Sequence, residues 1–162
     1  MRQTKKLLSL ITAMTVIAAC TDNGIFNPLA DASGTYTLTV YAGKSLPATY
    51  TIQPGDPNYP EYPNGATLVV NNGTMVLNNN GSFVETNNYT VTQPGQASTP
   101  YSFISHGSWT LNGTVFMLVA PQQNGNPQRN VTGTLTVDAN FHTINYQEAN
   151  ANGGVDAFEY KM

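Results

Sequence analysis

Apolar and polar residues alternate with a period of two along most of the chain. In Thr35–Val40, the residues Tyr36, Leu38 and Val40 fall on one side and three threonines fall on the other. The segment Val131–Val137 repeats this arrangement with valine and leucine against threonine. Such alternation is typical of antiparallel strands with one buried face. Apolar residues do not keep a spacing of three and four over a dozen positions, so the pattern predicts essentially no helix in the folded part.

Asn-Gly pairs separate many of these segments, and such pairs favour tight hairpin turns because both residues tolerate a positive φ. The pair at 72–73 interrupts the segment 66–78, where a hairpin turn and a β-bulge are both open interpretations. A bulge adds one residue and reverses the side on which the following residues face. From Leu68 to Leu77, the apolar positions are even-numbered before the pair and odd-numbered after it. This change favours the bulge.

Nine strands follow from this interpretation, and short connections alternate with long ones. The predicted strands span residues 34–42, 47–53, 66–78, 81–92, 100–111, 114–120, 129–137, 140–147 and 155–161. In an up-and-down sheet, every second connection lies at the same end, so the long loops should gather at one rim and the tight turns at the other. Eight or nine such strands close into a small antiparallel β-barrel, whose interior is filled or holds one small ligand. The predicted fold class is therefore all-β.

The first nineteen residues have a different character. Met1–Lys6 carries three basic residues and no acid, and Leu7–Ala19 follows without a charge. Thirteen residues are too few for a transmembrane helix, which needs about 20. The segment is typical of an export signal that is removed from the mature protein. We therefore expect residues 1–19 to be a signal peptide.

The signal ends in Ile17-Ala18-Ala19-Cys20, which holds the only cysteine of the chain. This stretch resembles the lipobox of bacterial lipoproteins, a branched aliphatic residue and two small residues before a cysteine. The resemblance implies cleavage before Cys20 and attachment of a diacylglyceryl group with palmitate-type chains to its thiol. In most members of the family the new amine is also acylated. Each buried methylene contributes about 0.8 kcal/mol, so two or three chains make a stable anchor. Thr21, rather than an aspartate, follows the cysteine and favours the outer membrane over the inner one.

Residues 20–33 are polar, contain glycine and proline, and have no periodicity, so we expect a lipidated flexible tether before a barrel domain at 34–162. The barrel segment resembles small bacterial lipocalin-like lipoproteins. The residues that carry the resemblance are Gly34-Thr35-Tyr36, Leu46-Pro47, Gly73 to Leu77 with Asn80-Gly81-Ser82-Phe83, Gly107-Ser108-Trp109, Gly133-Thr134-Leu135 and Phe158-Glu159-Tyr160-Lys161. The resemblance implies an up-and-down barrel that takes a small hydrophobic ligand.

Charge excludes several classes of partner. Without residues 1–19, the chain keeps three basic residues, Lys44, Arg129 and Lys161, against nine acidic ones, for a formal charge of −6. Nucleic-acid binding needs a clustered basic face, and binding to anionic lipid needs a polybasic segment. The membrane should therefore be contacted only through the lipid on Cys20.

Catalytic chemistry has little support in the sequence. His106 has a position that faces outward, whereas His142 shares its parity with inward residues, and the two histidines lie too far apart in sequence for a compact metal motif. No serine lies in a Gly-x-Ser-x-Gly turn, and no glycine-rich phosphate loop follows a strand. We therefore expect no enzyme, no catalytic residue, no metal and no cofactor.

Two features are candidates for recognition. Glu85 and Asn87 share their odd-numbered positions with Phe83, Tyr89 and Val91, which places a polar pair inside an apolar barrel. A buried carboxylate needs a partner, water or a ligand. The alternatives are another bulge in this strand or a polar rim near the mouth of the barrel.

The second feature is the stretch Pro54–Pro63, which has a proline at every third position. This period predicts a polyproline II segment with Tyr59 and Tyr62 on one side. It forms either a stiff recognition surface or a rigid lid that packs over the barrel end.

Eight aromatic residues should point into the barrel, where they either fill it or line a ligand cavity. They are Tyr36, Phe83, Tyr89, Tyr101, Phe103, Trp109, Phe158 and Tyr160. Among them, Tyr89, Tyr101, Phe103 and Trp109 are the candidate ligand contacts. The expected function is a non-catalytic binding module for a small apolar or aromatic ligand. The alternatives are an envelope protein with a solid barrel that contacts other proteins, and a carbohydrate-binding β-sandwich.

Overall fold

The computed structural model describes residues 28–122, 128–137, 142–150 and 154–162. It contains one five-residue helix, α1 (Pro28–Ala32), and ten strands. The strands are β1 (Gly34–Tyr41), β2 (Lys44–Ser45), β3 (Ala48–Ile52), β4 (Ala66–Leu77), β5 (Ser82–Thr92), β6 (Thr99–Asn112), β7 (Val115–Ala120), β8 (Arg129–Val137), β9 (His142–Ala149) and β10 (Val155–Lys161). The signal peptide, Cys20 and most of the predicted tether lie outside the described residues.

The sheet closes on itself. Strands β4 to β10 pair with their chain neighbours, β10 pairs with β1, and all pairings are antiparallel. The first half of β1 then pairs with the end of β4, from Gly34↔Leu77 to Thr37↔Thr74. Eight strands therefore form a closed up-and-down barrel, which confirms the predicted fold class. The alternative of a two-sheet sandwich was wrong.

Strands β2 and β3 fill the gap where β1 and β4 diverge. The end of β1 pairs with β2 (Val40↔Ser45, Tyr41↔Lys44), whereas the start of β4 pairs with all five residues of β3. The tight turn between β1 and β2 has positive φ at Ala42 and Gly43. The predicted strand at 47–53 is thus β3, and β2 is an addition that the sequence pattern did not indicate.

The predicted β-bulge is present in β4. Val70 pairs with Tyr89 and Asn72 pairs with Asn88, so Asn71 has no direct partner on β5. Because of the extra residue, buried positions are even-numbered before it and odd-numbered after it. The segment 66–77 is therefore one strand, as the change of parity predicted.

The two ends of the barrel differ. At one end, here called the turn end, β4, β6 and β8 end and short connections lead to the next strands. The other end, here called the loop rim, is where β3, β5, β7 and β9 end and the longer connections begin. The predicted arrangement is therefore confirmed for the connections that follow β3 to β9. It was wrong for the first short connection, 43–46, because β1 and β3 both run toward the loop rim and β2 lies between them.

Large side chains fill the half of the barrel near the turn end. The bulkiest of the fully buried side chains are Trp109, Tyr36, Tyr160, Phe83 and Phe116. Val137, at the end of β8, is not part of this packed region. It is 47% exposed, although the alternation along the strand predicted that it would be buried.

Helix α1 covers the turn end. It lies in the predicted tether, yet Ala32 is completely buried and its carbonyl accepts a hydrogen bond from the Tyr36 hydroxyl at 2.7 Å. Leu29 lies near Gly81, in the turn between β4 and β5. In the described part of the chain, no helix combines the length and apolar character needed to cross a membrane.

Candidate functional site

Glu85 and Asn87 lie inside the barrel, as their parity on β5 predicted. Glu85 is 0% exposed and Asn87 is 8% exposed. Both are near the middle of the barrel, between the packed aromatic half and the loop rim. A carboxylate at this depth loses its hydration, so its partners determine whether the structure tolerates it.

Four donors surround the Glu85 carboxylate. Arg129 Nη1 donates to Oε2 at 2.7 Å, while Asn87 Nδ2 donates to Oε1 at 3.0 Å. The hydroxyls of Tyr146 and Tyr160 also donate to Oε1, at 2.7 and 2.6 Å. Charge-assisted hydrogen bonds of this kind offset the loss of water around a buried charge. The partner that the buried carboxylate requires is therefore supplied by the protein.

Arg129 joins Glu85 to a second carboxylate. Its Nε and Nη2 atoms donate to the two oxygens of Glu148 at 2.8 and 2.7 Å, in a bidentate pair. Burial alone would lower the pKa of Arg129, but the hydrogen bonds to Glu148 and the charges of Glu85 and Glu148 raise it above its usual value. We call Glu85, Arg129 and Glu148 the buried charge cluster. Its formal charge is −1, with a single cation between two acids.

The two tyrosines that donate to Glu85 stay protonated. Burial, followed by the nearby charge of Glu85, raises the pKa values of Tyr146 and Tyr160 well above 10.0. Both hydroxyls are therefore donors at neutral pH, which is the state that the Glu85 carboxylate needs.

A cavity of about 350 Å³ lies between the buried charge cluster and the loop rim, and it opens to solvent at the rim. Its aromatic lining consists of Tyr41, Tyr59, Tyr62, Tyr89, Phe103 and Phe158. Ile52, Leu68, Val70 and Val91 supply aliphatic surface. Its polar lining consists of Glu61, Asn87, Arg129, Glu148 and Asp156. We call this space the rim cavity. Its size and largely apolar lining are those of a small-molecule site.

The connection between β3 and β4, residues 53–65, contributes two of the tyrosines and is here called the rim loop. Backbone amides of Asp56, Tyr59, Tyr62 and Gly65 each donate to the carbonyl three residues earlier. These are consecutive β-turns, and polyproline II has no internal hydrogen bonds. The polyproline II prediction was therefore wrong.

Tyr59 and Tyr62 nevertheless lie on the same side of the rim loop, because consecutive turns also repeat every three residues. Both are half-buried and pack against a small cluster that contains Ile52, Ala66 and Val91. Both line the rim cavity, so the loop is at once a lid over the barrel end and part of the cavity wall.

Two more acidic residues lie at the rim cavity. Asp156 accepts hydrogen bonds from the Tyr41 hydroxyl and from Asn150 Nδ2, each at 3.0 Å. Burial and then the charge of Asp156 raise the pKa of Tyr41, and both also raise that of Tyr59. Glu61 is exposed on the rim loop. Tyr41 and Tyr59 therefore lie close to negative charge.

The structure brings together only some of the predicted contact residues. Tyr89 and Phe103 line the rim cavity with Tyr59 and Tyr62. Tyr101 does not line it, since it is 43% exposed and stacks on Tyr89 with a centroid distance of 5.6 Å.

Trp109 is also separate from the cavity. It is buried near the turn end, where its Nε1 donates to the Asn78 carbonyl at 2.9 Å. Its role in this structure is to pack the closed half of the barrel.

The histidines also lie apart from the cavity. His106 is exposed, as predicted, and His142 is partly buried at the start of β9, near the turn end. His142 Nδ1 is buried without a hydrogen-bond partner in the described part of the chain, and its ring lies 6.5 Å from that of Tyr36. Within the described ranges, no group of three or more His, Cys, Asp or Glu side chains is arranged to hold a metal ion.

Sequence reasoning missed the charged residues of the site, although a signal was present. Arg129 has the parity of Val131, and Asp156 has the parity of Phe158, so both were on inward positions. Glu148 likewise has the parity of Tyr146. The alternation that places Glu85 inside the barrel therefore places these three side chains inside as well.

Comparison with known proteins adds no assignment. No protein-family model matches the chain, and no curated protein or solved structure is significantly similar to it. The resemblance to lipocalin-like lipoproteins remains a prediction, and functional inference depends on the rim cavity itself.

Proposed function

We propose that this protein is a lipid-anchored barrel of the bacterial cell envelope that binds a small apolar or aromatic ligand without chemical change. The observation that carries the proposal is the rim cavity, which offers about 350 Å³ behind six aromatic side chains. Ligand pockets of proteins have volumes of about 300–1,000 Å³ and bury most of the ligand against apolar walls. A ligand of one or two rings fits this space.

The contrast between the two halves of the barrel supports binding over a purely structural role. In the half near the turn end, large side chains such as Tyr36 and Phe116 are completely buried. The same types of residue surround open space at the loop rim. A barrel that served only as a solid scaffold would have no reason to keep this second half open.

The arrangement of Glu85 favours a structural role over general acid–base catalysis. Both of its oxygens accept hydrogen bonds, and it does not line the rim cavity. A catalytic carboxylate must reach the proton that it transfers. We therefore assign Glu85 to holding the floor of the cavity through Asn87 and Arg129.

The position of α1 indicates which end of the barrel the proposed anchor would hold near the membrane. The helix packs at the turn end, opposite the rim cavity, and only seven residues separate Cys20 from Pro28. Seven residues extend over about 25 Å at most. A lipid on Cys20 would therefore hold the turn end near the membrane and leave the mouth of the cavity facing away from it.

The binding proposal is tested by filling the cavity. Leu68→Trp adds bulk to the cavity wall, whereas Val84→Trp adds the same residue at an exposed site on the outside of β5. Native mass spectrometry of protein purified from its host envelope should show a small molecule bound to the wild type and to Val84→Trp. We expect Leu68→Trp to lose it. Equal occupancy in all three proteins, or none in any, would contradict the proposal.

The anchoring proposal has its own test. Cys20→Ser removes the thiol that the lipid requires, so the variant should leave the envelope fraction for the soluble fraction or keep its uncleaved signal. Fractionation with mass measurement of the mature N-terminus distinguishes these outcomes from anchoring. A Cys20→Ser protein that is cleaved normally and stays in the envelope would contradict it.

A second candidate function, docking of another envelope protein on the barrel wall, is favoured by the outer face of β7. Val115, Met117 and Val119 point outward there and are all exposed. Their replacement with serine should leave ligand binding intact. Loss of a co-purifying protein in that variant would support the second function.

A further inference from the structure

The charges around the rim cavity are unbalanced. Three carboxylates, Glu61, Glu148 and Asp156, line it together with one cation, Arg129. The undescribed residues nearest in sequence to this rim, 123–127 and 151–153, contain no ionisable side chain. The negative balance of the loop rim therefore does not depend on them.

Arg129 does not offset the remaining acids. Its guanidinium is committed to Glu85 and Glu148, with N–O distances of 2.7 Å in both ion pairs. Within the described part of the chain, the ion pairs with lysine or arginine involve only Glu85, Glu148 and Glu159. Asp156 is stabilised by neutral donors, and Glu61 has no cationic partner there.

A second cation, Lys44, follows β1 and also interacts with groups outside the rim cavity. Lys44 Nζ lies 4.4 Å from the centroid of the Tyr50 ring and donates to the Thr49 carbonyl at 2.7 Å. Lys44 is not part of the cavity lining.

The aromatic walls add to the preference for positive charge. The faces of tyrosine and phenylalanine rings are electronegative and attract cations within about 6 Å of the ring centre. The protein already uses this attraction once, since Arg129 Cζ lies 5.2 Å from the centroid of Phe103. Tyr41, Tyr59, Tyr62 and Tyr89 line the same cavity without a comparable contact among the described residues.

We propose that the rim cavity binds a small organic monocation, a primary amine or quaternary ammonium group attached to an apolar or aromatic body. This inference rests on the proposed binding function and specifies its ligand class. The cationic group lies between Asp156, Glu61 and the tyrosine rings, and the apolar body packs on Leu68, Val70 and Val91.

The same features argue against other ligand classes. An anion such as a carboxylate would meet Asp156 and Glu61 with no uncommitted guanidinium to receive it. A zwitterionic lipid headgroup carries a phosphate beside its ammonium group, and the phosphate would be repelled by the same acids. We therefore assign the ligand to free organic cations.

The test compares a cation with an uncharged probe of the same shape, and adds an anion and a short-chain lipid. Benzyltrimethylammonium and neopentylbenzene differ in a single atom, nitrogen or carbon, and thus in charge. Phenylacetate supplies the anion, and dihexanoylphosphatidylcholine supplies the lipid headgroup. The full chain is titrated calorimetrically in an uncharged sugar detergent, with protein-free micelles as the blank.

We expect benzyltrimethylammonium to bind about tenfold more tightly than neopentylbenzene, which corresponds to a moderate cation–π and charge contribution. Phenylacetate and the short-chain lipid should bind more weakly than either. Asp156→Asn and Glu61→Gln should each reduce the affinity for the cation several-fold and leave that for neopentylbenzene unchanged. Asp31→Asn removes an exposed charge from α1 at the opposite end and should change neither affinity.

The outcomes separate the two proposals. If neopentylbenzene, phenylacetate or the lipid binds as tightly as the cation, the ligand class is overturned while the binding function stands. If Asp31→Asn weakens cation binding as much as Asp156→Asn, the preference reflects overall charge and the inference is also overturned. If none of the probes binds, both the inference and the proposed function fail. Thermal unfolding of each variant shows whether the protein remains folded.

Discussion

Glu85 is the most demanding residue of this fold, because it is a carboxylate with no exposed surface. Removing one member of a buried, hydrogen-bonded ion pair typically costs about 3–5 kcal/mol, since the partner remains buried without its counter-charge. Arg129 retains Glu148, so we expect Glu85→Ala to lower the free energy of unfolding by about 3 kcal/mol. Urea denaturation measures this change.

Glu159→Ala is the matched control for that prediction. Glu159 forms a partly exposed pair with Lys161 at 2.9 Å and accepts a hydrogen bond from Thr39 at 2.8 Å. Ion pairs near the surface contribute less than about 1 kcal/mol. If the two variants lost equal stability, the buried charge cluster would not be the stabilising unit described here.

The tyrosines that hold Glu85 predict a loss of stability in alkali. The pKa values of Tyr146 and Tyr160 lie well above 10.0 in the folded protein, whereas the unfolded chain ionises its tyrosines near that value. The folded state therefore keeps protons that the unfolded state releases. The stability from these two groups is fully present below pH 10 and is lost as pH rises through the raised values.

This loss is measured by tyrosinate absorbance and circular dichroism across an alkaline titration. We expect most of the nine tyrosines to ionise before the strand signal changes and the last ones to ionise together with unfolding. Ionisation of all nine near pH 10 with an intact strand signal would be incompatible with the buried hydroxyls.

At these positions, the sequence predicted which side chains face the interior of the barrel but not which residues they contact there. The alternation along β5 correctly placed Glu85 and Asn87 inside. Their partners come from β8, β9 and β10, on other parts of the barrel wall, and which of them meet depends on the strand register and the barrel shear. The alternation within one strand does not show how close its side chains lie to those of the other strands.

Among the elements, the bulge in β4 has the clearest consequence. Deleting Asn71 would remove the extra residue and turn either the Leu68 side or the Met75 side of β4 outward. We expect this deletion to prevent cooperative folding or to lower the melting temperature strongly, as measured by circular dichroism.

Deletion of Ala97 is the control for the bulge, because it shortens the exposed connection between β5 and β6 by the same one residue. Longer surface loops tolerate such changes. A protein without Asn71 that melts like the one without Ala97 would show that the bulge does not set the facing of β4.

The strands themselves were largely predictable, because alternation and Asn-Gly turns report on local structure. The rim loop was not. Its proline spacing fitted polyproline II, but hydrogen bonds between Tyr62 and Tyr59, and between Gly65 and Tyr62, select consecutive turns that are packed on Ile52 and Val91. Local spacing alone does not distinguish two conformations that share a three-residue repeat.

For the molecule as a whole, closure of the barrel followed from the number and order of strands, whereas the rim cavity did not. A cavity is the volume left after side chains have packed, and the eight predicted aromatic residues were compatible with a filled barrel or a lined one. The structure divides them into three groups: Tyr36, Phe83, Trp109 and Tyr160 fill the turn end, Tyr89, Phe103 and Phe158 surround the cavity, and Tyr101 stacks on Tyr89 outside it. The sequence identifies the aromatic residues but does not show which of them fill the barrel and which surround the cavity.

The central claim is that a small aromatic ligand occupies the rim cavity, and intermolecular nuclear Overhauser effects test it most directly. Isotope-labelled protein is measured with benzyltrimethylammonium and, separately, with neutral indole. We predict contacts from probe protons to Tyr59, Tyr62 and Leu68 and none to Trp109 at the turn end. Contacts only on the outer wall around Val84, or no contacts with either probe, would contradict the account.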